Sequence, residues 1–295
     1  MRKRIILFVA LAAAGAAYVA MLPPPARGAG ALEVAASGPE PLRGTIHVHS
    51  ARSDGTGNIE QIAGAAARAG LGFVIVTDHG DGSRKPDPPA YLGGVLVIDA
   101  VEISTTAGHV LGLSLPQAPY PLAGEPRDVV DDIARLGGFA IAAHPGSAKP
   151  ELRWGDWNAA LNGVEWLNAD SEWRDESRWA LLGGLLTYPA RRAESVTALF
   201  DREDGVMRRF DTLSLTRRVV AVAAPDAHAR VGFRSFGEPY DSSGVALHVP
   251  SYETMFRAMS LVLPAVTATR DAAVDAAAIV AAIQGGRFYS RIDDP

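Results

Sequence analysis

The sequence predicts an α/β protein built on a largely parallel sheet, and three observations support this. Short apolar segments alternate with amphipathic or alanine-rich segments from residue 44 onward. Several of the apolar segments are continuous, as expected of strands that are covered on both faces. The apolar segments also end at or near polar residues, where parallel α/β folds place their functional sites. The pattern predicts strand–helix–strand units and leaves open whether the sheet closes into a barrel.

The first elements are defined by periodicity and by residues typical of helix ends. Asn58 as an N-cap and Gly70 as a stop predict a helix over residues 58–70. Alternation and β-branched residues predict a strand in the segment before this helix, and continuous apolar runs predict the strands after it. These strands cover "GTIHVHS" (44–50), "FVIVTDHG" (73–80), "GVLVIDAVEIS" (94–104) and "GHVLGLSL" (108–115).

The second part of the chain repeats the same rhythm. Pro126 in the first turn and Gly137 at the end predict a helix over residues 125–138. An alanine-rich helix is predicted over residues 271–286. The strands predicted between these helices are "FAIAAHPG" (139–146), "NGVEWLNAD" (162–170) and "RRVVAVAAPDAHAR" (217–230).

Residues 1–31 are predicted to be a signal peptide or an N-terminal membrane anchor. Arg2, Lys3 and Arg4 precede an uncharged run, as in export signals. This run approaches the roughly 20 residues that can span a bilayer, so a cleaved signal and a retained anchor both remain open. Either would place the protein in the periplasm or on the outer side of the membrane, and a retained anchor would also attach it to the membrane. Residues 32–43 are predicted to be a linker, and residues 44–295 a single domain.

Composition excludes several classes of site. The chain has no cysteine, which rules out disulfides, thiolate metal sites and a cysteine nucleophile. The net charge is −5, and no basic face suggests a nucleic-acid duplex as partner. Any metal site must therefore use His, Asp and Glu.

Six of the seven histidines lie at or beside predicted strand ends. Residues two apart on a strand point to the same face, so His47 and His49 can chelate one ion. A single motif of this kind is more often an incidental polar turn, but its recurrence at one edge predicts a metal cluster. One ion takes four to six ligands, so the set implies two or three Zn, Mn or Fe ions. The candidate ligands are His47, His49, Asp54, His79, Glu102, His109, His144, Asp226 and His228.

The ordered motifs resemble those of the polymerase and histidinol phosphatase (PHP) superfamily of metal-dependent phosphoesterases. They run as "HVH", "SDG", "TDH", "VEIS", "GHVLGL", "HP" and "DAH" from about residue 45 to residue 228. The resemblance implies that residues 44–295 form a distorted (β/α)7 TIM-like barrel with the metals at the C-terminal strand ends. It also implies hydrolysis of phosphate esters of small molecules by a metal-bound hydroxide at a di- or trinuclear site.

Transferred position by position, the resemblance implies a role for each ligand. Glu102 would bridge the first two ions. The first would be held by His47, His49, Glu102 and Asp226, the second by Glu102, His109 and His144, and the third by Asp54, His79 and His228. Every ligand position is filled, which favours an enzyme over a non-catalytic metal-binding module. Asp226 or a cluster histidine such as His228 would handle the proton. Apart from the resemblance, the position of Arg230 two residues after His228 makes it a candidate for contact with an anionic substrate.

Two branches of the superfamily share features with this chain. "VEIST" and "GHVLGL" are similar to the branch that cleaves phosphate from nucleotides and short oligonucleotides. The leader, "WGDW" and "GVEWLN" are similar to the CehA/McbA-like branch of carbamate and ester hydrolases. Phosphate-ester hydrolysis is therefore the leading prediction, and hydrolysis of a carboxylic ester, carbamate or amide is the alternative.

Other side chains near strand ends have two interpretations each. Four cations could bind an anionic substrate or form surface ion pairs: Lys149, Arg174, Arg178 and Arg230. The five tryptophans could form an aromatic wall over the pocket or pack the fold: Trp154, Trp157, Trp166, Trp173 and Trp179. Glu165 and Asp78 could orient ligand histidines or merely cap a strand or turn.

Overall fold

The computed structural model describes residues 2–21, 40–232, 246–247 and 249–292. Most of the expected linker, the end of the predicted leader and His248 lie outside these residues. In chain order the elements are α1 (Arg2–Met21), β1 (Leu42–Ile46), α2 (Ile59–Arg68), β2 (Phe73–Val76), β3 (Ala90–Leu92), β4 (Val95–Asp99), β5 (Val101–Thr105), β6 (Gly108–Leu113), α3 (Pro126–Arg135), β7 (Phe139–Ala143), β8 (Gly163–Asn168), α4 (Ala169–Asp175), α5 (Arg178–Thr187), α6 (Arg192–Thr197), α7 (Asp204–Ser214), β9 (Val220–Ala224), β10 (Val231–Gly232), β11 (Ala246–Leu247), α8 (Tyr252–Ala258), β12 (Met259–Leu263), α9 (Ala272–Gln284) and β13 (Tyr289–Ile292).

The larger strands form two sheets, in the orders β13-β12-β1-β2-β4-β3 and β5-β6-β7-β8-β9. β1, β2 and β4 pair in parallel, as do β7, β8 and β9. Isolated parallel bridges between Val48 and Ala227 and between His79 and Glu102 join the two sheets. The predicted α/β class is confirmed. The described strands do not form a closed ring, so the TIM-like barrel is not confirmed.

The helix predicted over residues 58–70 is confirmed as α2. The Asn58 side chain accepts from the backbone N–H of Gln61, and the Gln61 side chain accepts from that of Asn58. This reciprocal capping satisfies two N–H groups that the helix itself cannot bond. The apolar face of α2, from Ile62 to Ala66, is buried in the core with Val74 and Val76 of β2.

The segment predicted as one strand over residues 94–104 is divided between the two sheets. β4 ends at Asp99 in the first sheet, and β5 begins at Val101 in the second. The backbone N–H of Ala100 still donates to Val76, whereas Ile103 already pairs with Val110 of β6. This change of sheet places Glu102 where the two sheets meet.

Strand direction also differs from the predicted parallel pattern. β5, β6 and β7 pair antiparallel, as do β1 with β12, β12 with β13 and β3 with β4. An apolar run has the same composition in either direction, so direction was not visible in the sequence. Among the described residues, none of the helices combines the length and the apolarity needed to cross a membrane.

Gly108 supports the start of β6 and offers a test of the fold beside His109. It has φ 101°, and a Cβ there would lie 2.8 Å from both the Arg153 carbonyl oxygen and the Trp154 Cα. Gly124 has nearly the same φ, 99°, but no atom within 4 Å of such a Cβ. In both alanine variants the positive φ destabilises the folded state by about 1–3 kcal/mol.

We expect Gly108→Ala to lower the free energy of unfolding by about 2 kcal/mol more than Gly124→Ala does, because it adds the clash with backbone. Urea denaturation of both variants measures the difference. Equal losses would show that the space beside Gly108 is open.

Candidate metal centre

All nine predicted ligands converge on the place where the two sheets meet. His47 and His49 follow β1, His79 follows β2, and Glu102 lies on β5. The remaining ligands come from the turn after β1, the start of β6, and the ends of β7 and β9: Asp54, His109, His144, Asp226 and His228. Their convergence is observed, and their role as ligands stays a prediction.

Glu102 lies at the centre, and its two carboxylate oxygens face different histidines. Oε2 is 3.2 Å from His47 Nε2 and 3.1 Å from His49 Nε2. Oε1 is 2.8 Å from His109 Nδ1 and 2.9 Å from His144 Nε2. One carboxylate thus joins two pairs of histidines.

Asp226 completes the first of these groups. Its Oδ1 lies 3.2 Å from His47 Nε2 and 3.3 Å from His49 Nε2. These contacts match the side chains assigned to the first ion.

The third group is less separate than the sequence implied. Asp54 Oδ2 is 3.2 Å from His228 Nε2, and Asp54 Oδ1 is 3.8 Å from His79 Nε2. However, His79 Nδ1 also lies 3.5 Å from Glu102 Oε2, and His49 Nδ1 lies 3.5 Å from Asp54 Oδ1. His79 therefore stands between Glu102 and the third group, and His49 between the first and third groups.

The donor set fits divalent cations. Nitrogen and oxygen ligands about 2.0–2.2 Å from one ion are separated by about 3.0–3.5 Å, which is close to most spacings seen here. The buried atoms His49 Nε2, Asp54 Oδ1 and Asp226 Oδ1 have no hydrogen bond among the described residues. Buried polar atoms rarely lack a partner, and cations bound in the cluster would satisfy these three atoms. A donor set without sulfur suits Zn, Mn or Fe.

Hydrogen bonds fix several imidazole rings. His144 Nδ1 donates to the Leu152 carbonyl at 3.0 Å, and His228 Nδ1 donates to the Asp226 carbonyl at 2.9 Å. His47 Nδ1 lies 2.6 Å from Glu165 Oε1. With a proton on Nδ1, each Nε2 lone pair is directed into the cluster, the arrangement that metal-binding histidines use.

Glu165 orients two of the predicted ligands and is fully buried. Its Oε1 contacts the His47 ring, and its Oε2 accepts from the His144 backbone N–H at 2.7 Å. Asn168 Nδ2 donates to the same Oε2 at 2.8 Å and lies 3.4 Å from Asp226 Oδ2. Sequence reasoning missed Asn168, although its place at the end of the predicted strand over residues 162–170 was a usable signal.

Asp78 shapes the loop that carries Asp54. Its Oδ1 accepts from the Ser50 backbone N–H at 2.6 Å and from Ser53 Oγ at 2.8 Å. Tyr252 OH holds the same loop by donating to the His49 carbonyl at 2.7 Å. Tyr252 was missed because it lies far away in the chain and carries no local signal.

Three of the clustered side chains stand on backbone in the left-handed region. The φ angles are 65° for His47, 31° for His144 and 47° for Asp226. Non-glycine residues seldom adopt such angles, which cost free energy and concentrate at functional sites. All three residues come just after buried strands, where the chain must turn to direct their side chains inward.

Electrostatics couples the histidines to the carboxylates. Burial alone lowers the pKa of His49, but the nearby carboxylates of Asp226 and Glu102 outweigh it and raise that pKa to about 10. Burial alone raises the pKa of Glu102, but attraction to His47 and His79 drives it well below its usual value. Without cations, protonated histidines therefore balance the buried carboxylates.

We expect binding of Zn²⁺ or Mn²⁺ to release protons at pH 7, because the ions must displace them from raised-pKa histidines such as His49. The apparent affinity should fall about tenfold per pH unit for each displaced proton as the pH is lowered. Calorimetric titration in buffers of different ionisation enthalpy counts the released protons. Binding heats that do not depend on the buffer would contradict this expectation.

The four predicted substrate-binding cations have different surroundings. Arg230 is half-buried beside Asp226 and His228, and its substrate contact stays a prediction. Arg174 is paired with Asp170 and lies 4.5 Å from the centre of the Trp173 ring, which favours the structural alternative. The other two, Lys149 and Arg178, are exposed.

The tryptophans do not form a shared wall. Trp154 is buried in the core, and its Nε1 donates to the Asp156 carbonyl at 2.8 Å. Trp157 and Trp166 are packed against the core, whereas Trp179 is 81% exposed. Trp173 lines the pocket formed with Asp226 and His228, and Trp166 lines a smaller pocket with His144 and Glu165.

Comparison with known proteins gives distant similarities. No protein-family model matches this chain. An uncharacterized protein of Methanocaldococcus jannaschii is 29% identical over 143 residues, which cover 43% of this chain and 82% of that protein.

Solved structures similar to this chain include PHP-like metal-dependent phosphoesterases. A two-domain protein from Bacteroides vulgatus containing a predicted PHP-like metal-dependent phosphoesterase aligns with TM-score 0.42 and 14% identity, over 85% of this chain and 65% of its own. A structure from Bifidobacterium adolescentis, also described as a metal-dependent phosphoesterase, aligns with TM-score 0.40 and 12% identity, over 71% of this chain and 94% of its own. Endonuclease Q in complex with a 27-mer duplex aligns with TM-score 0.34 and 16% identity, over 48% of this chain and 45% of its own. This chain thus spans less than two thirds of the Bacteroides protein.

Proposed function

We propose that this chain is a PHP-type metal-dependent hydrolase of phosphate esters, and that its two bridged sheets belong to a distorted (β/α)7 barrel. The observation that carries the proposal is the position of Glu102, whose oxygens face two different pairs of histidines. A bridging carboxylate between histidine-rich groups is typical of sites that hold two adjacent ions for in-line displacement at phosphorus. The ordered motif set, with every ligand position filled, supports the same family.

The residues present would hold two or three Zn, Mn or Fe ions. When bound, such ions lower the pKa of a coordinated water and act as Lewis acids toward phosphoryl oxygens. Glu165 and the Leu152 carbonyl keep His47 and His144 in the required tautomers. Six of the nine clustered side chains are buried, and the low local dielectric strengthens the electrostatic interactions among them.

Two residues would act on the substrate directly. Arg230 lines the pocket next to Asp226 and His228, which supports a contact between its guanidinium and an anionic oxygen of the ester. Asp226 Oδ1 faces two histidines while Oδ2 is turned toward Asn168, which leaves this carboxylate placed to handle a proton. His228 would assist through its contact with Asp54.

The proposed substrates are small molecules, and the proposed location is outside the cytoplasm. Arg2, Lys3 and Arg4 followed by an uncharged run support export, with either a cleaved leader or a retained anchor. The negative net charge supports small substrates over a nucleic-acid duplex.

Metal analysis combined with a substrate panel tests this function. Protein purified without chelators should contain at least two equivalents of transition metal and should hydrolyse aryl phosphates or bis-aryl phosphates. The panel also includes nucleotides, aryl acetates and a DNA duplex with an abasic site. Turnover of the acetates alone would favour the carboxylic ester, carbamate or amide alternative. Cleavage of the duplex alone would indicate a nuclease, and inactivity after addition of Mn, Zn or Fe would overturn the enzyme assignment.

A further inference from the structure

A pocket of about 190 Å³ adjoins the metal centre. Asp226, His228 and Arg230 form one side of it, and α4, α5 and α6 with the residues after them form much of the rest. Its apolar lining includes Trp173, Leu181, Leu185, Tyr188, Leu199 and Phe200. The pocket is therefore continuous with the groups that would hold the reacting phosphate.

The polar atoms along the helical side of the pocket are already engaged. Asp170 Oδ1 accepts from Trp173 Nε1 at 3.0 Å, and its Oδ2 binds the Arg174 guanidinium. Ser195 Oγ donates to the Arg191 carbonyl at 2.6 Å. A sugar hydroxyl or a base edge placed here would lose water and find few groups free to replace its hydrogen bonds, which is costly.

Tyr188 presents its ring rather than its hydroxyl. Its OH donates to Thr254 Oγ1 at 3.3 Å and accepts from the Ser251 backbone N–H at 3.3 Å. The Asp170 contact likewise fixes the indole of Trp173. Two rigid aromatic faces with satisfied polar tips favour an apolar, planar group between or against them.

We propose that this pocket binds an uncharged aromatic group attached directly to the ester oxygen, so that the substrates of the proposed phosphoesterase are aryl phosphates. This inference rests on the proposed function, because the phosphate must lie at the metal centre. The volume agrees, since a dry cavity of about 150 Å³ lined by apolar side chains can hold benzene. A one-ring or compact two-ring group fits the space beside Asp226 and His228.

The test compares phenyl phosphate with methyl phosphate and glycerol phosphate in the metal-loaded full chain, and phenylphosphonate with methylphosphonate in binding titrations. We expect kcat/KM for phenyl phosphate to exceed that for glycerol phosphate by at least about tenfold. Phenylphosphonate should also bind at least about tenfold more tightly than methylphosphonate. A nucleoside monophosphate preferred over phenyl phosphate would overturn the inference.

Matched variants test whether the preference for aryl compounds arises in this pocket. Trp173→Ala should lower kcat/KM for phenyl phosphate and the affinity for phenylphosphonate about tenfold. It should leave kcat/KM for methyl phosphate and the affinity for methylphosphonate unchanged. Trp179→Ala removes an exposed tryptophan outside the pocket lining and should change neither.

A second pair keeps the test valid if Trp173→Ala does not fold. Leu185 and Leu186 are 68% and 50% exposed on the same helix, but only Leu185 lines the pocket. Leu185→Asp should reduce the preference for aryl over methyl compounds, and Leu186→Asp should not. Equal effects on all substrates would overturn the aryl pocket. Absence of turnover of every phosphate ester by the parent protein would instead refute the proposed function.

Discussion

Glu102→Gln is expected to abolish hydrolysis, with a loss in kcat/KM of about 10³-fold or more. The amide keeps the size of the side chain but removes the negative charge and one of the two acceptor oxygens. Only one group of histidines would then face an oxygen, so at least one metal equivalent should be lost. Loss of about 4 kcal/mol of transition-state stabilisation from a metal corresponds to about 10³-fold in rate. Steady-state kinetics and elemental analysis of the purified variant measure both effects.

Glu172→Gln is the matched control for Glu102→Gln. Glu172 is also buried, but its Oε2 accepts from the Asp201 backbone N–H and it faces none of the clustered histidines. Burial and neighbouring carboxylates raise the pKa of Glu172 to about 8, so a neutral amide resembles its form at pH 7. We expect near-normal metal content and activity for this variant. Normal activity in Glu102→Gln would refute the bridging role.

The convergence of the ligands could be predicted because all of them except Asp54 lie in or close to a buried apolar strand. A histidine or carboxylate there is conspicuous, and strand ends meet at one edge whether or not the sheet closes. The third group was predicted less well. His79 lies near both Asp54 and Glu102. Its contacts depend on side-chain geometry where the two sheets meet, and the order of the motifs along the chain does not show that geometry.

The pocket beside the cluster could not be predicted. The sequence-based assignment left residues 171–214 without elements, whereas the structure has α4 to α7 there. α5 buries none of its residues and combines aliphatic residues with Gly183 and Gly184, so it lacks the polar face that would have marked a surface helix. The role of Trp173 likewise depends on Asp170 and on packing, because a tryptophan in a core and one in a pocket look alike in sequence.

Glu165→Gln is expected to weaken metal binding and kcat/KM by about 10–100-fold without unfolding the protein. The carboxylate accepts on both oxygens, from His47 Nδ1 and from two N–H donors, the His144 backbone and Asn168 Nδ2. A glutamine has one acceptor oxygen, so it cannot accept from His47 and from the two N–H donors at once. If its NH₂ faces His47, the imidazole proton moves to Nε2 and blocks the metal-binding lone pair. If its oxygen faces His47, the NH₂ confronts the two N–H donors.

Histidine tautomers and metal affinity distinguish this positioning role from a purely structural one. Nitrogen-15 NMR of the metal-free variant should show a changed protonation pattern at His47, and titration should show weaker Zn²⁺ binding at an unchanged circular dichroism spectrum. Asn168→Ala provides a graded comparison, because it removes one donor to Glu165 but leaves the carboxylate against His47. Its effect on metal affinity should therefore be smaller than that of Glu165→Gln. The reverse order would mean that Asn168, through its contact with Asp226, controls the cluster rather than Glu165.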